Sequence, residues 1–162
     1  MDLEEIAPII QAIIKETLTE KRYPFGYSKN RGIGNKVSSG GLRNSVEVVV
    51  KTGTEGEQVM DIMMLDYWQW VQSGRLPGKK GVPIDKIEQW IKDRGILGRD
   101  AKGKFIKRRS FAFAIQNNIK KFGIRPANFI DASIEKIEKN NKIIELLGDA
   151  TLEDLINTIE GI

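Results

Sequence analysis

Leu42 to Gly74 reads LRNSVEVVVKTGTEGEQVMDIMMLDYWQWVQSG, and the fold turns on this stretch. Val46, Val48 and Val50 alternate with Glu47, Val49 and Lys51, and β-branched side chains suit a pleated surface. Thr52 to Glu57 holds two glycines and little apolar bulk, which predicts a hairpin turn. Gln58 to Leu65 returns as a second strand, with Val59, Met63 and Leu65 on one face and Met60, Ile62 and Met64 on the other. Only Asp61 interrupts the first of these faces. A sheet with one solvated side should show one clean polar face, whereas this hairpin, over 45–65, is apolar on most of both. Either helices cover both faces, or one face meets another chain.

Working outward, Leu3, Ile6, Ile10, Ile13 and Leu18 form a helical stripe, which predicts a helix over 2–19. Pro8 argues for a kink there or for a start near residue 8. Glu20 to Gly41 is rich in Gly, Ser, Lys and Arg and reads as a loop that orders on assembly. Its Gly-x-Gly at 32–34 has no preceding strand and no Gly-Lys-Ser/Thr, so it is not a phosphate-binding fingerprint. On the other side of the hairpin, Tyr67, Trp68 and Trp70 predict core anchors, at least Tyr67 and one Trp, with base stacking on exposed rings as the alternative. Helices follow over 83–94, 110–122 and 128–147, with a short one over 152–160. Trp90 stands beside Ile87 and Ile91 on an apolar stripe and is expected to be buried. Gly98 to Arg109 carries six bases and one acid and reads as a protruding basic loop.

Together these elements predict an α+β fold: a small antiparallel sheet built on a hairpin and flanked by amphipathic helices. The expected organisation is one domain over 1–132 and a C-terminal helical extension over 133–162. With 162 residues, 40% of them hydrophobic and 30% charged, the composition is that of an ordinary globular chain. No apolar run is long enough to span a membrane, and Asp2, Glu4 and Glu5 argue against a secretory leader. His and Cys are both absent. Their absence removes thiol nucleophiles, zinc fingers and imidazole acid–base chemistry, so no metal, cofactor or catalytic residue is assigned. Charge is segregated along the chain: residues 1–20 are net −4, 21–125 net +13 and 126–162 net −5.

Several short motifs, taken in order, resemble the tail-completion or head–tail joining proteins of tailed bacteriophages. Gly40-Gly41-Leu42-Arg43-Asn44-Ser45 is similar to the family's Gly-x-Leu-x-x-Ser before its first strand. Tyr67 to Gly74 is similar to its Tyr-x-x-x-Val-x-x-Gly. Ile87 to Ile91 with Trp90, Ile115 leading to Gly123, and Pro126 with Phe129 resemble its later helices and their ending. The likeness spans residues 1–132. It implies a non-catalytic virion protein at the head–tail junction, made in the bacterial host cytoplasm. It also implies a homo-oligomeric ring, six- or twelve-fold, that contacts portal or adaptor and tail proteins while DNA passes through its lumen.

On that reading Leu42, Tyr67, Trp68, Gly74, Ile87, Trp90, Ile115, Gly123, Pro126 and Phe129 are core or motif positions. Val49, Met63, Trp70, Lys102, Lys104, Lys107, Arg108 and Arg109 are expected to face another subunit or partner, the basic loop forming one positive patch. The alternative is a basic nucleic-acid-binding module making salt-sensitive phosphate contacts. A third reading, a metal-dependent nuclease using Glu47, Asp61, Asp66 and Lys51, lacks an acid-x-Lys pair at the needed spacing.

Overall fold

The computed structural model describes residues 3–20, 23–24, 33–34, 37, 39–54 and 56–160. Helix α1 (Leu3–Thr19) supplies the centre of the main core: Ile6 and Ile10 are fully buried, and Ile13, Ile14 and Leu18 nearly so. The helix runs through Pro8, whose ring faces solvent. Leu3, Ile6 and Ala7 precede that proline and are buried. Each large side chain contributes roughly 1.5–3 kcal/mol on burial. Together they outweigh the ~3 kcal/mol cost of an interior proline, so the first turn forms instead of fraying. Thr17, buried in the same helix, donates its hydroxyl to the Ile13 carbonyl at 2.8 Å.

Within the expected 20–41 loop, β1 (Tyr23–Pro24) pairs antiparallel with β2 (Ile33–Gly34). Most of the rest of that loop lies outside the described residues. The one-turn helix α2 (Gly41–Ser45) then takes the place of the strand start expected from Leu42. It buries Leu42, and Val46 follows it into the core. Strands β3 (Glu47–Thr52) and β4 (Gln58–Met63) form the expected hairpin, with Val48 opposite Ile62 and Val50 opposite Met60. These four, with Met64, pack on the α1 core. Gln11 reaches from α1 to accept the Val48 N–H at 2.9 Å, which ties helix to strand.

The aromatic stretch is helical: α3 (Trp68–Ser73) replaces the strand-to-turn expected there. Beyond it lie α4 (Ile84–Asp93) and α5 (Arg108–Phe122), which pack chiefly on one another. Their own small core centres on Ile87, Ile91 and Ala112, with Trp90, Phe111, Ile115 and Ile119 partly buried around it. Chain order then returns to the main body with α6 (Phe129–Glu138), α7 (Asn141–Leu147) and α8 (Asp149–Glu160).

The single helix expected over 128–147 is two helices. The Asn140 side chain accepts the Ile143 N–H at 3.2 Å and starts α7 afresh, as a capping Asn does. The boundary expected at 132 falls inside α6, where Ala132, Ser133 and Ile134 are consecutively buried. Ile143, Leu147, Leu152 and Ile159 belong to the same core as α1. The segment after 132 therefore completes the main body. Helices α6 and α7 pack on α1, and α8 packs on α6 and α7.

The architecture is thus an α+β fold with two apolar cores among the described residues. We call the part containing α1–α3, the hairpin and α6–α8 the body. The part spanning 75–125 is the arm.

Candidate interaction surfaces

The chain passes between body and arm twice, and the two passages are bonded to each other at the base of the arm. Arg75 and Ile124 exchange backbone hydrogen bonds of 2.8 and 2.7 Å, and Gly78 donates to the Lys120 carbonyl at 2.8 Å. Gly74 and Gly123 stand on either side of this neck, both with φ +71°. A Cβ on Gly74 would lie 2.4 Å from the Ile124 oxygen, and one on Gly123 2.2 Å from the Arg75 oxygen. Only glycine allows two backbones to pass so closely. Gln72 fastens the body side, accepting the Ile130 N–H at 2.9 Å and donating to Asp131 at 3.0 Å. Inside the arm, Gln116 donates to the Val82 carbonyl at 2.7 Å.

The hairpin's second face is open. Register places Glu47, Val49, Lys51, Val59, Asp61 and Met63 on the side away from α1. Val59 and Met63 are exposed there, Val49 is half-buried, and Leu65 is exposed just beyond the second strand. Lys51 is ion-paired with Asp61 across the strands. Tyr67 is 44% exposed, with its hydroxyl beside Gly41, close to Leu65. It is not the core anchor expected; Trp68 takes that role, packing on the body core. Trp70, one turn beyond Tyr67 on α3, is 67% exposed. A six-residue helix can turn only one side to the core, and Trp68 and Val71 occupy it.

The arm's surface differs. Leu76, Leu97, Phe105, Phe113 and Phe122 are exposed, and Leu97 reaches 71%. The expected basic loop is a hydrogen-bonded turn. Arg99 and Phe105 form an antiparallel bridge, and the Asp100 carboxylate accepts the Lys102 and Lys104 N–H groups, each at 2.9 Å. The Arg99 guanidinium lies 3.9 Å from the Phe105 ring centre. Lys102, Lys104, Lys107 and Arg108 are exposed. Arg109 is drawn out of the expected patch by ion pairs to Glu88 at 3.2 Å and Asp85 at 3.8 Å. Trp90 is half-buried against the arm core, not fully enclosed as its stripe suggested. The arm core is only two helices thick, so one edge of the indole stays wet.

Of the other motif positions, Leu42, Ile87 and Phe129 are buried core residues, Ile115 is half-buried in the arm, and Pro126 is exposed. Ser45 donates to the Leu42 carbonyl at 2.8 Å and accepts the Leu65 N–H at 3.1 Å, so it joins α2 to the end of the hairpin. The tying glutamines Gln11, Gln72 and Gln116 were missed. Nothing local marks a glutamine that will reach another element.

Among the described residues, no group of three acids is placed to hold a metal ion, and Asp61 is paired with Lys51. Burial lowers the Arg94 guanidinium from its ordinary value in the arm, and a hydrogen bond to Glu135 raises the Lys139 ammonium in the body. The two lie in different parts of the molecule. A crevice of about 420 Å³ opens between α3, α6 and α8, lined by Trp68, Gln72, Ile130, Asp131 and Ile159 among others.

Charge follows the fold. The arm holds 15 Lys and Arg against four Asp and Glu, net +11; the rest of the chain holds 11 against 18, net −7. Among the described residues no helix is long and apolar enough to cross a membrane. In comparison with known proteins, the chain matches no family model, no curated protein and no solved structure.

Proposed function

We propose that this chain is a structural virion protein of a tailed phage. Copies form a ring at the head–tail junction, next to portal or adaptor and tail proteins, and the genome passes through the lumen. The observation that carries the reading is the open outer face of the hairpin. Val59 and Met63 are exposed on the outer side of a two-stranded sheet, around the Lys51–Asp61 pair, and Leu65 is exposed just beyond it, which favours a surface that a partner covers. The motif resemblance supplies the kind of assembly. The role is non-catalytic on this reading, as the motif resemblance implies.

The mass of the purified chain in solution, followed by imaging of the particles, tests this. A closed ring is expected. A monomer across the whole accessible concentration range would overturn it.

A second reading rests on a separate observation, the +11 arm with its exposed Phe105, Phe113 and Phe122. A nucleic-acid module would bind single- or double-stranded DNA with an affinity falling steeply as salt rises. If the monomer bound DNA tightly and did not assemble, this second reading would replace the first.

A further inference from the structure

Both parts of the fold carry exposed apolar side chains, and their net charges are opposite in sign. The outer face of the hairpin presents exposed Val59 and Met63 beside the mutually paired Lys51 and Asp61; Glu47 lies in the same face and Asp66 follows just beyond the second strand, both exposed. The α4–α5 turn is apolar at Leu97 and Phe105 and edged by Lys102 and Lys104. Neither surface suits a copy of itself. With Lys51 already paired to Asp61, hairpin against hairpin leaves Glu47 and Asp66 facing like charge, and arm against arm brings base to base. Only arm against hairpin pairs apolar with apolar and positive with negative. Within one chain both surfaces stay exposed, so each is open to another molecule.

We propose that the arm of one copy lies across the outer hairpin face of a second copy. Phe105 and Leu97 seat against Val59, Met63 and Leu65, and Lys102 and Lys104 face Glu47 and Asp66. This rests on the ring reading and specifies its contact. Such a contact is heterologous: each copy offers one arm and receives another, so repetition closes a ring or grows a filament. The stacked Arg99–Phe105 pair suits the centre of the contact, since Arg and aromatic residues dominate binding energy at interface cores. Exposed charges contribute little adhesion and act on register and association rate.

The chain has no cysteine, so introduced thiols are unique. Full-length Met63→Cys and Phe105→Cys chains are mixed and mildly oxidised. The expected product is a disulfide-linked dimer containing one of each, while each variant alone stays unlinked. Linking of Met63→Cys to itself would overturn the proposal in favour of two hairpins face to face. A wild-type ring that gives no 63–105 link would overturn the proposal and leave the ring reading standing. A wild-type chain that never assembles would overturn both.

The charge test is independent of the thiols. Lys102→Glu with Lys104→Glu should slow low-salt assembly by about tenfold or more. Mixing that chain with a Glu47→Lys, Asp66→Lys chain should restore assembly, because each can then receive the other's arm. If the Lys102→Glu, Lys104→Glu chain assembles at the normal rate and has only lost DNA binding, the arm is a nucleic-acid surface and the proposal falls.

Discussion

Body and arm are built by the same chain under different constraints. The body wraps α1 on several sides, with hairpin, α2, α6, α7 and α8 all contributing to one core. The arm has two helices and three fully buried side chains, and it is held at its base by paired backbones. Stability should therefore reside in the body, with the arm at the low end of the local unfolding range. On the proposed reading, this thin, basic, weakly cored element is the part that gains its remaining partners from another molecule.

The sharpest way to test that contrast is to damage each core. Phe129→Ala, at a fully buried position in the body, should cost about 3–5 kcal/mol and lower the global unfolding midpoint in denaturant. Ile91→Ala removes an equally buried side chain from the arm and should cost about 2–5 kcal/mol, felt locally. Hydrogen exchange should show α4 and α5 losing protection while α1 and α6 keep theirs. Equal loss in both parts would erase the distinction.

The neck comes next. Gly123→Ala places a Cβ against the Arg75 oxygen at positive φ, so both space and backbone conformation oppose it. A cost on the order of 1–3 kcal/mol is expected from strain alone. The paired Arg75 and Ile124 amides should exchange faster. An unchanged melting temperature and unchanged exchange at those amides would mean that the two chains are not pinned there.

Gln72→Ala leaves the Ile130 N–H without its acceptor and should cost about 1–3 kcal/mol, read as a lowered melting temperature. The smallest effect is expected at Arg109. Its pairs with Asp85 and Glu88 are exposed, and Arg109→Ala should change stability by about 0–1 kcal/mol, diminishing further in salt. Trp90→Ala should fall short of the full large-to-small penalty, because its indole is only half-buried. A loss as large as that of Phe129→Ala would place it in a core deeper than the arm's.

Period alone made several elements legible. The 3.6-residue stripes of α1, α4 and α5 and the alternation over Val46 to Met64 located those elements to within a few residues. Local chemistry near 67–71 was less decisive. Three aromatics in four residues say that area will be buried, but not which ring does the burying. The helical turn of α3 chose Trp68 and left Tyr67 and Trp70 outside. The Asn140 cap was likewise written in the chain, yet an unbroken apolar stripe from Phe129 to Ile144 concealed it.

What the sequence by itself determined is the fold class, the two-faced hairpin and a basic middle between acidic ends. Each is a property of residue type and short spacing, which burial and charge enforce wherever the chain goes. Tertiary structure decided which hairpin face is covered, that the residues after 132 complete the body core, and that 75–125 stands apart on a neck of two glycines. These depend on contacts between residues far apart in the chain, such as Arg75 with Ile124 and Gln11 with Val48. Long-range pairing is set by how all the apolar surfaces can be buried at once, and no single stretch carries that information.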